Sequence, residues 1–190
     1  MATTSTLTST SPTRRLAGAG LLGALLALAG CASPGVDTYT AEQPRLLLRA
    51  YFDGPLTAHG LFTDRSGQVV RRFTVKLLGR WNGAEGVLEE DFVYSDGKTE
   101  RRVWRLTDHG DGRYTGRADD VVGEARGQAA GNALRWQYTL ALPVDGRVWE
   151  VQFDDWMFLM DAERKVMLNK ATMSKFGIRL GEVTLAFHKP

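Results

Sequence analysis

The sequence predicts an all-β domain, an antiparallel up-and-down barrel of about eight to ten strands. Segments of about 8 to 12 residues, rich in β-branched and aromatic residues, recur along the chain. Several of them alternate apolar and polar residues, as Phe73-Thr74-Val75-Lys76-Leu77 does, so each has one apolar face. No long segment keeps the 3.6-residue period of a helix. Because closing such a meander removes its exposed edges, we expect a lipocalin-like barrel, with an open sandwich as the alternative.

Turn sequences separate the predicted strands. Gly, Asn and Asp are common in them because tight hairpins require positive φ angles that other residues adopt only with strain. A short apolar segment, Pro44–Phe52, could form a helical turn or a first strand, and we favour a short helix packed across one barrel end. The predicted turns are Asp64-Arg65-Ser66-Gly67, Trp81-Asn82-Gly83, Ser95-Asp96-Gly97-Lys98, His109-Gly110-Asp111-Gly112, Gly131-Asn132, Pro143-Val144-Asp145-Gly146 and Leu180-Gly181-Glu182.

The N-terminal segment has the form of a bacterial lipoprotein signal peptide. Arg14 and Arg15 supply positive charge, and residues 16–29 contain only Leu, Ala and Gly. Leu28-Ala29-Gly30-Cys31 matches a lipobox, so we expect cleavage between Gly30 and Cys31 and acylation of the Cys31 thiol. A transmembrane helix is the weaker interpretation because spanning a bilayer takes about 20 apolar residues. A secreted protein with a chance cysteine at the cleavage site is the other alternative.

Three parts follow from this leader. Residues 1–30 form the signal peptide, residues 31–44 the lipidated cysteine with a flexible tether, and residues 45–190 the barrel domain. Ala32 stands where an inner-membrane retention signal usually places Asp, which by resemblance to sorted lipoproteins favours the outer membrane. We therefore expect a protein of the cell envelope, anchored in the inner leaflet of the outer membrane and facing the periplasm.

Charge and cysteine content exclude several function classes. The formal net charge of +2 comes entirely from Arg14 and Arg15, because the leader contains no acidic residue. The remaining chain is neutral and gives no reason to expect a nucleic-acid partner. Cys31 is the only cysteine, so once it is lipidated no thiol remains for a disulfide, a nucleophile or a metal. We expect no cofactor.

Motifs for catalysis or metal binding are not evident. His59, His109 and His188 lie far apart and lack the spacing of zinc ligands, and no Gly-x-Ser-x-Gly elbow occurs. We therefore predict no catalytic residue and no metal site.

Charged doublets are the remaining candidates for a polar site. Successive side chains of a strand point to opposite faces, so at most one member of Asp154-Asp155 enters the barrel. The same holds for Arg71-Arg72 and Arg101-Arg102, where an inward arginine could bind an anionic group. A turn acid, a surface ion pair or a carboxylate–arginine pair is the more common situation for Asp119-Asp120 and Asp154-Asp155.

Aromatic and methionine residues give the best indication of a ligand site. We predict that Trp136, Tyr138, Phe153 and Trp156 line a cavity for a hydrophobic small molecule such as a fatty acid or lipid. The same residues can equally fill a solid core. Three hypotheses therefore stay open: a lipid-anchored carrier, a non-enzymatic envelope protein that binds a protein partner through a solid barrel, and an enzyme acting on a lipid inside the barrel.

Several blocks, in this order, resemble an uncharacterised family of bacterial lipoproteins known only as a domain of unknown function. The resemblance runs from about Leu48 to Lys189, and it implies a lipocalin-like barrel without any assigned activity or catalytic residue. The blocks are Phe52-Asp53-Gly54-Pro55-Leu56-Thr57-Ala58, Asp64-Arg65-Ser66-Gly67, Arg71-Arg72-Phe73, Gly131-Asn132-Ala133-Leu134, Leu142-Pro143-Val144-Asp145-Gly146, Phe153-Asp154-Asp155-Trp156-Met157 and Lys175-Phe176-Gly177.

Overall fold

The computed structural model describes residues 1–3, 34–144 and 146–190. The predicted signal peptide, its cleavage site after Gly30, the lipid-attachment residue Cys31 and the start of the predicted tether lie outside the described residues. Residues Gly35–Pro190 form one compact unit. Within the described residues, no helix has the length and apolar character needed to cross a membrane.

Ten antiparallel strands form a closed barrel in which each strand pairs with its neighbours in the sequence and β1 pairs with β10. The predicted all-β, up-and-down barrel is therefore confirmed, and the open sandwich is not formed. Closure gives every strand a paired neighbour on both sides. The strands are β1 (Gly54–Asp64), β2 (Val69–Asn82), β3 (Glu85–Tyr94), β4 (Thr99–Asp108), β5 (Arg113–Arg117), β6 (Ala125–Ala130), β7 (Ala133–Val144), β8 (Arg147–Leu159), β9 (Val166–Lys175) and β10 (Ile178–His188).

Alternation along the strands decides which side chains face the interior. In β2, Phe73, Val75 and Leu77 are buried while the residues between them are exposed. The period of two that the sequence shows is thus the period of burial, and it places one apolar stripe of each strand on the inner wall.

One end of the barrel is closed by a short helix, α1 (Leu48–Phe52), as predicted. Leu48 and Phe52 are buried, and the Phe52 ring meets that of Phe187 edge-on at 5.7 Å. Gly79 of β2 permits this approach, because a Cβ atom there would collide with the backbone oxygen of Phe52. Lys189 Nζ donates hydrogen bonds to the carbonyl oxygens of Ala50 and Tyr51, which holds the helix at this end.

The opposite end carries the β1–β2, β3–β4, β7–β8 and β9–β10 turns. Lys98 and Val144 at this end are exposed and also border the internal cavity. The barrel therefore has a closed end at α1 and an open end at these turns.

Part of the predicted tether is packed against the barrel, which corrects the expectation of a flexible segment up to Pro44. Val36–Tyr39 forms a 3₁₀ turn, Val36 is buried, and Tyr39 packs against the rings of Trp156 and Phe158. The backbone N–H of Leu46 donates to the carbonyl oxygen of Gly131. One valine and one tyrosine are enough to hold this single turn against the barrel. The segment therefore needs no apolar periodicity in its sequence.

The last predicted turn is also displaced. Leu180-Gly181-Glu182 lies inside β10, where the register shifts between Arg179 and Gly181, while the chain reverses at Phe176 and Gly177. Gly181 is a glycine in a strand because a Cβ atom there would collide with the backbone oxygen of Thr63. A glycine within a strand pattern can thus mark a bulge rather than a turn.

Candidate functional site

The barrel interior contains a cavity of about 660 Å³, which the solid-core interpretation did not expect. Its wall is mainly apolar and extends from Leu48 and Phe52 of α1 to Leu142 and Val144 near the open end. A volume in this range suits one small ligand, because such sites typically measure roughly 300–1,000 Å³.

Three of the four predicted ligand-binding residues line this cavity: Trp136, Tyr138 and Phe153. The Tyr138 and Phe153 rings stack at 5.0 Å. Trp136 lies over two glycines of the neighbouring strands, since a Cβ atom at Gly116 or Gly127 would run into its indole ring. These three residues therefore lie in the cavity wall, and their role in ligand binding stays a prediction.

The fourth residue, Trp156, was placed wrongly, because it lies on the outer face of β8. It stacks on Phe158 at 6.2 Å, meets Tyr39 edge-on, and lies 5.3 Å from the guanidinium carbon of Arg135. The alternation that sends Asp155 inward necessarily sends its neighbour outward.

Trp104 is an aromatic wall residue that the sequence reasoning missed. It lines the cavity from β4 and meets the rings of Trp136 and Tyr138 edge-on, at 5.8 and 5.4 Å. The alternation of buried Trp104 and Leu106 with exposed Arg105 in β4 is the signal that would have identified it.

The arginine doublets behave as the strand geometry requires. Arg102 lines the cavity, and its Nε and Nη2 atoms donate to the Asp120 carboxylate at 2.6–3.1 Å, while Arg101 pairs with Glu89 and Asp91 outside. Burial lowers the pKa of Arg102, but Glu90 and Asp120 raise it more, so the net pKa is raised and the guanidinium stays charged. The inward arginine therefore already has its carboxylate partner.

Arg71 occupies a similar position nearer the open end. Its Nη2 atom donates to both Asp96 oxygens, at 3.0 and 2.9 Å, and its guanidinium carbon lies 3.6 Å above the Tyr94 ring. Arg72 faces solvent. The second inward arginine is thus also paired with an acid.

Asp155 is the inward member of the Asp154-Asp155 doublet and lies in the cavity wall with 6% of its surface exposed. Tyr138 Oη and Asn169 Nδ2 both donate to its Oδ2 atom, at 3.3 and 3.2 Å. Burial raises the pKa of Asp155 to about 7, although these two hydrogen bonds lower it. Asp154 faces outward and forms an ion pair with Arg135 at 2.6 Å.

Glu90, from β3, is a second acid in the cavity wall. Burial is the main reason that its pKa is raised to about 7, and Arg102, 4.0 Å away, only partly offsets this effect. Asp155 and Glu90 are therefore balanced between their neutral and charged forms near neutral pH, which is uncommon for carboxyl groups.

The histidines do not enter the cavity. His59 and His188 are exposed on their strands, and His109 lies in a turn where its Nε2 atom is 2.8 Å from Thr115 Oγ1. Across residues 34–144 and 146–190, no three His, Cys, Asp or Glu side chains lie close enough together to hold a metal ion.

These features define a hollow, lipocalin-like antiparallel barrel with an apolar cavity open at one end. The chain belongs to the family described as "Protein of unknown function (DUF3833)", whose profile matches residues 25–189. The resemblance to a family of unknown function is thereby confirmed, and the matched region begins earlier than Leu48.

Two further comparisons add little. No curated protein sequence matches this chain. A crystal structure of a protein of unknown function from the DUF3598 family of Nostoc punctiforme PCC 73102 aligns with a TM-score of 0.47 and 12% identity, covering 79% of this chain and 51% of that one. The chain thus spans about half the length of that protein.

Proposed function

We propose that this protein is a membrane-anchored lipoprotein of the bacterial cell envelope that binds and carries a hydrophobic small molecule or lipid in its barrel. The observation that carries this proposal is the mainly apolar cavity of about 660 Å³, open to solvent at the end away from α1. Burial of apolar surface is worth about 25 cal/mol per Å², so such a wall favours an apolar ligand over water.

The anchor rests on the sequence. Cys31 follows Leu28-Ala29-Gly30 after an apolar run, and acylation there attaches the protein to the membrane. Two or three acyl chains on one residue give a durable attachment, since each buried CH₂ contributes about 0.8 kcal/mol. We place the protein in the inner leaflet of the outer membrane, facing the periplasm.

Filling the cavity tests the binding function. Ala171 of β9 is buried and lines the cavity, so Ala171→Trp should occupy the ligand volume and abolish uptake of a fluorescent apolar probe such as diphenylhexatriene. Thr172→Trp is the matched control, because the neighbouring position faces outward and should leave uptake unchanged. Native mass spectrometry of residues 35–190, the compact unit without the acylated cysteine, purified without detergent, should detect a bound apolar molecule. Only empty protein together with no probe uptake would contradict the proposal.

A second candidate function is binding of an envelope protein partner, and the exposed apolar residues favour it. Val148, Phe176 and Ile178 are 70%, 87% and 61% exposed on the β7–β8 and β9–β10 hairpins at the open end. Lys175 Nζ lies about 5 Å from the Trp149 and Phe176 rings, so the two hairpin tips are adjacent. Crosslinking to one dominant partner that Phe176→Ser abolishes, with probe uptake retained, would favour this function.

Catalysis is the third hypothesis, and we propose that the barrel binds its ligand without transforming it. An enzyme would have to use an inward acid or arginine, among which Asp155 and Glu90 have the raised pKa values that proton transfer requires. If the protein turns over a lipid and this activity remains after every inward Asp, Glu and Arg is substituted, these residues have no enzymatic role. Turnover that is lost with Asp155→Asn would contradict the non-enzymatic proposal.

A further inference from the structure

Among the described residues, one carboxyl oxygen and one amide oxygen of the cavity wall are buried and lack a partner, and both are acceptors when the carboxyl group is charged. Asp155 and Asn169 line the cavity from the adjacent strands β8 and β9 and are 6% and 4% exposed. The Asn169 amide donates to Asp155 Oδ2, which leaves Asp155 Oδ1 and Asn169 Oδ1 unbonded within the described part of the chain. A buried acceptor without a donor is unfavourable, so a donor brought by a ligand would recover free energy.

Both arginines of the cavity wall are already paired with acids. Arg102 already binds Asp120 through two nitrogens, and Arg71 binds both oxygens of Asp96. Arg71 keeps a buried Nε atom without a partner among the described residues, and Lys98 borders the open end, so an anion could bind near the mouth without displacing either acid. Beside Asp155 an anion would instead lie in a wall that also contains Glu90. The charge arrangement therefore disfavours an anion next to Asp155.

The acceptors lie inside the cavity rather than at its mouth. On β8, Asp155 is eight residues from the first strand residue, Arg147, at the open end, and four from the last, Leu159. The inward neighbours on either side, Phe153 and Met157, are apolar and also line the cavity. A polar group that reaches Asp155 is thus surrounded by apolar wall above and below.

We propose that Asp155 and Asn169 form a donor-recognition site, which selects a mostly apolar ligand whose polar group is a hydroxyl or an ammonium. This inference rests on the proposed function and narrows its ligand class away from fatty acids. Water occupies about 30 Å³ per molecule in the liquid, so 660 Å³ holds a ligand of about 20 non-hydrogen atoms. A single-chain alcohol or amine meets both requirements.

Displacement of diphenylhexatriene from residues 35–190, the compact unit without the acylated cysteine, tests this site at pH 8, where Asp155 is mostly charged. The competitors are dodecanol, dodecylamine, dodecanoate and dodecyl methyl ether, which share one chain and differ only at the polar group. Dodecanol or dodecylamine, or both, should bind about tenfold more tightly than the ether and dodecanoate, which corresponds to about 1.4 kcal/mol. The separate alcohol and amine arms show whether a neutral or a charged donor is preferred.

Variants assign the preference to the site. Asp155→Leu should abolish the advantage of the donors while the ether still binds. Asp155→Asn keeps an acceptor of similar size, so it should retain dodecanol binding and weaken dodecylamine about tenfold relative to dodecanol. Asp154→Asn, which removes a carboxylate from the outer face, is the matched control and should leave every ratio unchanged.

The outcomes separate this inference from the proposed function. Equal affinity for all four compounds, or tighter binding of dodecanoate than of dodecanol, would overturn the donor-recognition site and leave a cavity that binds apolar molecules. A preference for dodecanol or dodecylamine over the ether that remains in both Asp155 variants would overturn the donor-recognition site as well. Failure of the probe and of all four compounds to bind would overturn both proposals.

Discussion

Replacing Asp155 by Asn should stabilise the empty protein above neutral pH and change its stability little at pH 4. The carboxyl group is buried in the cavity wall, and this burial favours its neutral form in the folded state. Burial is the main cause that raises its pKa from 3.8 to about 7, against the hydrogen bonds from Asn169 and Tyr138. An amide of the same size remains neutral at every pH.

The sign and the magnitude follow from proton linkage. Between pH 4 and 7 the unfolded chain has released the proton of Asp155 whereas the folded chain still holds it, so the folded state binds more protons and its stability falls as pH rises. The pKa values of Asp155 in the folded and unfolded chains differ by about three units, and each unit is worth about 1.4 kcal/mol. The folded state therefore loses about 4 kcal/mol of stability by pH 7. Asp155→Asn removes this loss.

Urea unfolding, monitored by tryptophan fluorescence, measures this pH-dependent loss of stability. The free energy of unfolding of Asp155→Asn minus that of the wild type should rise by about 4 kcal/mol from pH 4 to pH 8. Glu90, whose pKa burial also raises to about 7, is present in both proteins, and its contribution cancels. Asp154→Asn should show no such rise. A difference that stays flat with pH would refute the assignment of Asp155 as a buried acid without a compensating cation.

Three further outcomes are expected. Cys31→Ala should release the protein from the membrane fraction and prevent incorporation of radiolabelled palmitate, whereas unchanged acylation would contradict the anchor. Trp136→Phe should reduce the fluorescence change that accompanies ligand binding, and Trp156→Phe should leave it intact; equal effects would refute the assignment of inner and outer faces. Arg102→Met leaves the Asp120 carboxylate without its partner and should lower the free energy of unfolding by about 3–5 kcal/mol, as measured by urea titration. A change below about 1 kcal/mol would show that this ion pair contributes little.

The barrel could be predicted because it depends on a local property, the alternation of apolar and polar residues along each strand. A strand with one buried face shows a period of two, and strands joined by short turns can only pair antiparallel with their neighbours. The β2 segment from Phe73 to Leu77 shows this directly, since its alternation and its burial coincide. The hollow interior could not be predicted, because the same apolar stripe lines a cavity or fills a core.

Trp156 shows where periodicity fails. Trp156-Met157-Phe158-Leu159 is apolar at every position, so this run itself indicates no inner face. Extending the alternation of Val151 and Phe153 gives the correct answer and places Asp155 inside. A charged residue at an inward position breaks the rule that apolar residues fill the core, and for that reason the sequence favoured the aromatic neighbour.

Because the barrel encloses a cavity of about 660 Å³, the lifetime of the protein depends on whether a ligand occupies that cavity. A ligand that binds only the folded chain raises the free energy of unfolding by about 2.7 kcal/mol when its free concentration is a hundredfold above its dissociation constant. Proteases act on transiently opened chains, and differences of about 1–2 kcal/mol can change cellular abundance several-fold. The steady-state amount of this protein would then rise and fall with the supply of its ligand, so its half-life in cells would report how full the barrels are.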